Sequence, residues 1–318
     1  MKRERPLPAE IGRYRIARLH RQGAMGRVLL ARDTVLDRDV ALKLLRDDLG
    51  LAEEHVVALV ERMRQEARAA ARVEHPNIVS LHDMGEDPDH GLYLVFEYVE
   101  GPTLKERIER GPLGAIAAAK LAVELGDALT TAHEAAVLHR DVKPENVLLA
   151  RTGAKIADFG IARMPDSTLT MGGTLLGTPA YSAPEAVSAG RFSPKSDQFS
   201  MACTLYEALS GRRAFPGDDA VTVAGRIGTE EPVAIAQSAG VDAHVDSVLA
   251  RAFRKDPRER FDSCAAFGAA LSEALRMAPR SAMPTLPDHR RRDTAEDPAS
   301  ARIARAATGG FAVGAMLA

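Results

Sequence analysis

The chain has 318 residues, 46% hydrophobic and 27% charged, with 42 Lys and Arg against 44 Asp and Glu. That profile excludes a chain disordered throughout, and a net charge of -2 lacks the global basic field that would favour nucleic acid or anionic membrane. The two cysteines, Cys203 and Cys264, have no second Cys or His at ligand spacing, which argues against a disulfide scaffold or zinc module and fits a reducing compartment.

In chain order, Met1 to Arg13 is charged, lacks the apolar centre of a signal peptide and reads as an N-terminal extension. Three β-prone runs follow, Tyr14 to Leu19, Arg27 to Arg32 and Val40 to Leu45, parted by a Gly-bearing turn at Gln22 to Gly26 and a polar turn at Asp37 to Asp39. Between Glu53 and Arg72 the period becomes helical, with Leu59, Met63, Glu66, Ala70 and Val73 on one face. Glu66 stands out there as a carboxylate on an apolar stripe. Strand-like runs return at Ile78 to Asp83 and Leu92 to Tyr98, and helical texture dominates afterwards. Strands first and helices later predict an α+β protein with a joint near Glu100 and Gly101. Thr103 followed by Glu106 forms a capping box just beyond that joint. After Arg276 the sequence turns Pro- and Arg-rich, with Arg290 to Arg292, so 277–318 reads as a disordered tail. Its apolar end, Gly309 to Ala318, is half the ~20 residues a spanning helix needs, and no transmembrane span is expected.

The strongest chemical signal is His139-Arg140-Asp141-Val142-Lys143-Pro144-Glu145-Asn146, with Asp158-Phe159-Gly160 further along. Oxygens at Asp141, Asn146 and Asp158 bracket two short strands, Val147 to Leu149 and Lys155 to Ala157. Oxygen donors of this kind suit a hard cation such as magnesium, which keeps several waters and shares phosphate oxygens. A polar turn with caps would account for only one or two of these residues.

On these motifs the chain resembles the bacterial eukaryotic-type (Hanks-type) serine/threonine protein kinases. The resemblance implies a bilobal α+β protein kinase fold over 14–276, with a β-rich N-lobe (14–99) carrying one regulatory helix and a mainly helical C-lobe (100–276). It implies transfer of the γ-phosphate of ATP to Ser or Thr hydroxyls of protein substrates, with Mg2+, or Mn2+ in its place. Val40-Ala41-Leu42-Lys43 matches the third-strand lysine motif, so Lys43 would hold the α- and β-phosphates and Glu66 would pair with it. Without the resemblance, Glu66 is simply a carboxylate within reach of Arg62 one turn away. Asp141 would be the catalytic base, Lys143 would steady the γ-phosphate, and Asn146 and Asp158 would hold the metal.

Aligned on Val28, the glycine loop reads Arg21-Gln22-Gly23-Ala24-Met25-Gly26-Arg27-Val28. Gly23 and Gly26 keep the pattern, whereas Arg21 replaces its first glycine and is expected to alter nucleotide affinity. Phe96 falls at the gatekeeper position, Glu97 and Val99 would offer backbone groups to the purine, and Val28, Ala41 and Leu148 would wall it. The stretch Asp158 to Glu185 resembles an activation segment holding Ser167, Thr168, Thr170 and Thr174. Thr170 is the first candidate for autophosphorylation and Thr168 the next, with Arg140 and Arg163 as a phosphate clamp. Asp197 resembles the anchor of the catalytic loop, Arg260 the buried partner of Glu185, and Thr178 a peptide-site residue bonding Asp141 and Lys143.

Two rival readings are a pseudokinase or nucleotide-binding scaffold weakened by Arg21, and a small-molecule kinase, which would lack Ala183-Pro184-Glu185. The expected setting is cytoplasmic, with weak membrane contact through the tail as the alternative. A transient homodimer would serve autophosphorylation, and no nucleic acid partner is expected.

Overall fold

The computed structural model describes residues 7–23, 26–45, 53–159 and 179–277. Its N-terminal lobe is an antiparallel sheet of β1 (Glu10–Ile11), β2 (Tyr14–Gly23), β3 (Gly26–Asp33), β4 (Arg38–Leu45), β5 (Leu81–Asp87) and β6 (Gly91–Glu97), in the order β1-β2-β3-β4-β6-β5. The two-residue period explains its faces. Leu29 and Ala31 on β3 and Val40, Leu42 and Leu44 on β4 are buried in one core with Ile11, Tyr14, Tyr93 and Val95. Val28, Ala41 and Lys43 alternate with them and therefore face the other way, toward the second lobe.

Two features differ from the sequence expectations. Glu10 and Ile11, placed in the N-terminal extension, pair with Arg15 and Tyr14, and Ile11 is fully buried. The strand expected at 78–83 begins only at Leu81 and runs on through Gly85 and Glu86 to Asp87. The earlier residues belong to the lobe junction, because Ile78 bridges Ile156 and the Val79 N–H donates to the Ile156 carbonyl at 2.9 Å.

Helix α1 (Glu53–Ala70) lies between β4 and β5 in the chain, and Met63 and Ala67 are buried on it. The second lobe comprises α2 (Leu104–Ile108), α3 (Ala115–Glu134), the hairpin β7 (Val147–Ala150) and β8 (Gly153–Ile156), α4 (Pro184–Ala189), α5 (Pro194–Ser210), α6 (Ala220–Thr229), α7 (Ala236–Ala239), α8 (His244–Ala252) and α9 (Cys264–Arg276). The Thr103 capping box is formed: Glu106 N–H donates to Thr103 Oγ1, and Thr103 N–H donates to Glu106 Oε2 at 2.8 Å. Ser193 caps α5, Pro194 opens it without losing a needed donor, and Gly211 at φ 71° closes it in the left-handed region.

Buried residues run all round α5 from Ser196 to Leu209, so it is the central post of this lobe. Its polar side chains are satisfied, as burial demands. Gln198, for example, donates to the carbonyls of Phe261 and Ser263 and accepts the Phe261 N–H. Helices α3 and α9 approach closely because glycine stands at the contact. A Cβ on Gly268 would lie 2.3 Å from the Ala122 carbonyl oxygen, and one on Gly126 would lie 2.7 Å from that of Cys264.

Candidate active site

The loop from α3 to β7 carries His139 to Asn146, and Asp197 of α5 holds it. Asp197 Oδ1 accepts the Arg140 N–H at 2.8 Å, while Oδ2 accepts the His139 N–H at 2.8 Å and lies 2.8 Å from His133 Nε2. Those bonds fix a costly backbone conformation, since Arg140 has φ 63°. The buried His139 ring lies with Nε2 2.9 Å from the Ala157 carbonyl, and its Nδ1 accepts the Asp141 N–H at 3.2 Å. That pattern specifies the neutral tautomer with the proton on Nε2. Burial lowers the His139 pKa, and the opposing charges of Asp197 and Asp141 do not offset it.

Asp141 stands in a short network. Lys143 Nζ donates to its Oδ2 at 2.6 Å, and Asn146 Nδ2 donates both to Oδ2 at 3.0 Å and to the Asp141 carbonyl at 2.8 Å. Lys143 precedes the turn Pro144–Asn146 and Asn146 closes it, leading directly into β7.

From the other lobe, Lys43 Nζ reaches Asp158 Oδ1 at 2.7 Å. Burial pushes the Asp158 carboxyl up, and the charge and hydrogen bond of Lys43 more than reverse this, holding it below the usual carboxylate range. Asp158 also has a left-handed backbone, φ 61°, and Phe159 beside it packs on the His139 ring at 4.7 Å between centroids. The expected Lys43–Glu66 pair is not the arrangement found here. Glu66 Oε1 accepts from Arg140 Nη1 at 2.8 Å and from Arg62 Nη2 at 3.1 Å. The correction is electrostatic: each carboxylate has taken a different nearby cation, Asp158 the lysine and Glu66 the two arginines.

The floor and roof of the cleft follow from sheet register. Ala41 opposes Phe96, and Phe96 lines a small apolar cavity with Ala70, Val79 and Phe159. The Glu97 N–H is used by the Ser80 carbonyl at 2.9 Å, while the Val99 N–H has no protein acceptor among the described residues. Leu148, on the C-lobe side, bridges Thr103, and Arg21 Nη1 crosses between the lobes to the Glu145 carbonyl at 3.1 Å.

Comparison with known proteins matches residues 15–270 to the protein kinase domain. The chain belongs to the protein kinase family. It is 39% identical over 256 residues to the serine/threonine-protein kinase PrkC of Bacillus subtilis, an alignment covering 79% of this chain and 39% of PrkC. To PknB of Mycobacterium tuberculosis it is 37% identical over 288 residues, covering 88% of this chain and 45% of PknB. The chain therefore spans less than half the length of these curated relatives. The crystal structure of the M. tuberculosis PknI kinase domain superposes with a TM-score of 0.67 at 27% identity, covering 85% of this chain and 100% of that one. The bilobal α+β kinase fold is thus shown from both family and structure.

Membership of the family implies ATP and a divalent cation. The donor set fits such a cation. Asn146 uses its Nδ2 on Asp141, which leaves Oδ1 for a metal, and the Asp158 carboxylate supplies the second protein oxygen. Among the described residues there is no group of three or more His, Cys, Asp or Glu that could hold a metal alone. A cation bound by one or two side chains and completed by phosphates and water is the magnesium pattern.

Gly23 and Gly26 are opposed in the β2–β3 register, with Gly26 at φ 146°, whereas Ala24 and Met25 lie outside the described residues. Arg163, Thr168, Thr170 and Thr178 also lie outside them. Arg260 forms a bidentate pair with Glu185, Nη1 to Oε1 at 2.8 Å and Nη2 to Oε2 at 2.9 Å. Sequence reasoning missed the supporting partners. His133 gave no signal beyond a polar residue near a helix end. Lys155, which pairs with Glu97 at 3.0 Å, and Lys105, which pairs with the buried Glu207 at 2.9 Å, find partners far away in the chain. No helix among the described residues is long and apolar enough to cross a membrane.

Proposed function

We propose that the chain is an ATP-dependent protein serine/threonine kinase whose catalytic base is Asp141. The observation that carries this reading is the Asp141 network, a carboxylate set between Lys143 and Asn146 on a loop anchored to the central helix by Asp197. Phosphoryl transfer needs little covalent chemistry from the protein; alignment of the two oxygens and neutralisation of charge suffice. Asp141 orients the substrate hydroxyl and takes its proton. Lys143 faces the γ-phosphate, and Lys43 faces the α- and β-phosphates. Asn146 and Asp158 hold the cation, Mg2+ in this reading, which neutralises the phosphates when bound. The hinge offers the Glu97 carbonyl and Val99 N–H to the purine, while Val28, Ala41, Phe96 and Leu148 enclose it and Gly23 and Gly26 let backbone approach the phosphates.

The working state requires Lys43 to exchange Asp158 for Glu66, so that Asp158 meets the cation. Autophosphorylation of Thr170, with Thr168 as the second site, would supply the drive. A phosphate of charge about -1.5 to -2 draws Arg140 and Arg163 to itself and releases Glu66 toward Lys43. Such a reaction proceeds through a transient homodimer. ATP is the phosphoryl donor, so the domain works where ATP is held, in the cytoplasm.

The test is incubation with labelled ATP and a generic protein substrate, comparing the wild type with Asp141→Asn, followed by mass spectrometry of 160–178. Asp141-dependent label on Ser or Thr of protein supports the reading. Nucleotide binding without transfer would favour a scaffold, and transfer only to small molecules would favour a small-molecule kinase.

A further inference from the structure

Arg21 stands where the glycine-loop pattern has its first glycine, so a guanidinium replaces a hydrogen atom. The sheet register shows where it goes. Arg21 opposes Val28, Val28 opposes Lys43, and Lys43 opposes Leu94. Directly opposed residues on antiparallel neighbours project to one face. That face borders the cleft, because Lys43 reaches from it to Asp158 at 2.7 Å. A register shift between Leu19 and Arg21 makes this placement: Leu19 opposes Leu29 of the opposite-face core, and the inserted His20 moves Arg21 into the Val28 row. Re-aiming a side chain in this way is a recurrent use of bulges beside functional sites.

From that row the guanidinium crosses the mouth of the cleft. Nη1 donates to the carbonyl of Glu145, in the turn between Lys143 and Asn146, at 3.1 Å. Glu106 of α2 feels the same cation. Its carboxyl is held below the ordinary range first by the Thr103 N–H, and in smaller part by the charges of Arg21 and Arg110. His20 meets the hinge at the same rim, its ring edge-on to Tyr98 with centroids 6.1 Å apart. Two consecutive side chains thus tie the end of β2 to the hinge and to the catalytic turn.

We infer that Arg21 is a latch on the nucleotide site, tying the two lobes together through Glu145 until a purine nucleoside triphosphate displaces it. The inference rests on the kinase reading above. Glu145 sits in the turn that holds Asn146 and follows Lys143, the phosphate end in the proposed reading, while His20, beside Arg21, meets Tyr98 at the proposed purine end. A sugar joining purine to phosphates must pass between these ends, so the bond to Glu145 competes with it. When only an unlatched fraction of molecules accepts ligand, apparent affinity falls by that fraction. A single solvent-exposed bond, taken at the ordinary net worth of a hydrogen bond, corresponds to a factor of about three to ten.

Stopped-flow binding of a fluorescent ADP analogue in the presence of Mg2+, on the full chain, tests this with Arg21→Gly and Arg21→Gln. The expected result is an association rate raised about three- to tenfold by Arg21→Gly, an unchanged dissociation rate, and an intermediate value for Arg21→Gln. Hydrogen exchange of the nucleotide-free chain should also quicken around Glu145 in both variants. Equal binding rates in wild type and variants would overturn the latch while leaving the kinase reading intact. Faster dissociation and weaker binding in the variants would make Arg21 a nucleotide ligand, and would overturn it as well. If wild type and variants, folded by their melting transitions, all fail to bind, the kinase reading falls and the latch with it. Should Arg21→Gly not fold, Arg21→Gln carries the test.

Discussion

Glu66 on α1 gives its carboxylate to Arg140 of the catalytic loop, Oε1 to Nη1 at 2.8 Å. The residue that would steady Lys43 is therefore held by the loop that presents Asp141, and Lys43 rests on Asp158 instead. One prediction follows from the exchange of partners proposed above. Glu66→Gln can no longer attract Lys43 away from Asp158, so kcat/KM for ATP should fall roughly tenfold to a hundredfold, as expected when a catalytic group is misplaced. Its effect on stability should stay within about 1 kcal/mol, because the pairs with Arg62 and Arg140 are partly exposed. Steady-state kinetics beside a melting curve separates the two effects, and unchanged kinetics would show that Lys43 needs no such partner.

Asp141→Asn preserves the size of the side chain but cannot take a proton. General-base contributions of this kind are worth ~10² to 10⁴ in rate. The loss should fall on kcat, with ATP affinity nearly unchanged, because the role proposed for Asp141 is toward the substrate hydroxyl and the amide keeps an oxygen for Lys143 and Asn146. A variant that lost affinity and kept kcat would contradict the assignment.

The lobes and the catalytic loop were legible because their residues are local in sequence. Period-two alternation in β3 and β4, the Thr103–Glu106 cap, and the run from His139 to Asn146 each carry their signal within a few residues. What escaped depends on distance in the chain or on choice among equivalent partners. Lys43 is separated from both Glu66 and Asp158 in sequence, and nothing in the sequence says which of the two carboxylates it takes. The start of β5 differs from the sequence expectation for the same reason: Ile78 and Val79 look like strand, yet their partner is Ile156 of the other lobe. Arg21 was visible as a departure from pattern, but its acceptor is a backbone carbonyl of Glu145, which no side-chain motif reveals.

The Arg260–Glu185 pair makes a stability prediction. Arg260 is fully buried, and besides Glu185 it donates to the carbonyls of Arg254, Lys195 and Lys255. Removing one member leaves the other charge buried without its partner, a loss of about 3–5 kcal/mol. Arg260→Met and Glu185→Gln should each lower the melting temperature, with Arg260→Met the worse because three carbonyls also lose their donor. The double variant should lose less than the sum, since neither charge is then left alone. Strict additivity in denaturant unfolding would show that the two residues act independently.

Acid sensitivity follows from His139. The unfolded chain takes up a histidine proton near its ordinary value of about 6.5, whereas burial makes the folded chain take it up only at lower pH. Between those values the unfolded state binds more protons, so stability rises with pH across that window. The contribution is complete above about pH 6.5 and is lost progressively as pH falls toward the folded value. His20, His75 and His82 are lowered by burial too and act in the same direction. The melting temperature should therefore decline from about pH 7.5 to about pH 5.5. In His139→Gln, whose amide still offers the Ala157 carbonyl a donor but does not titrate, stability at the upper pH should fall by about 1 kcal/mol while the acid slope becomes shallower. An unchanged slope in that variant would assign the acid loss to the other histidines and remove His139 from the account.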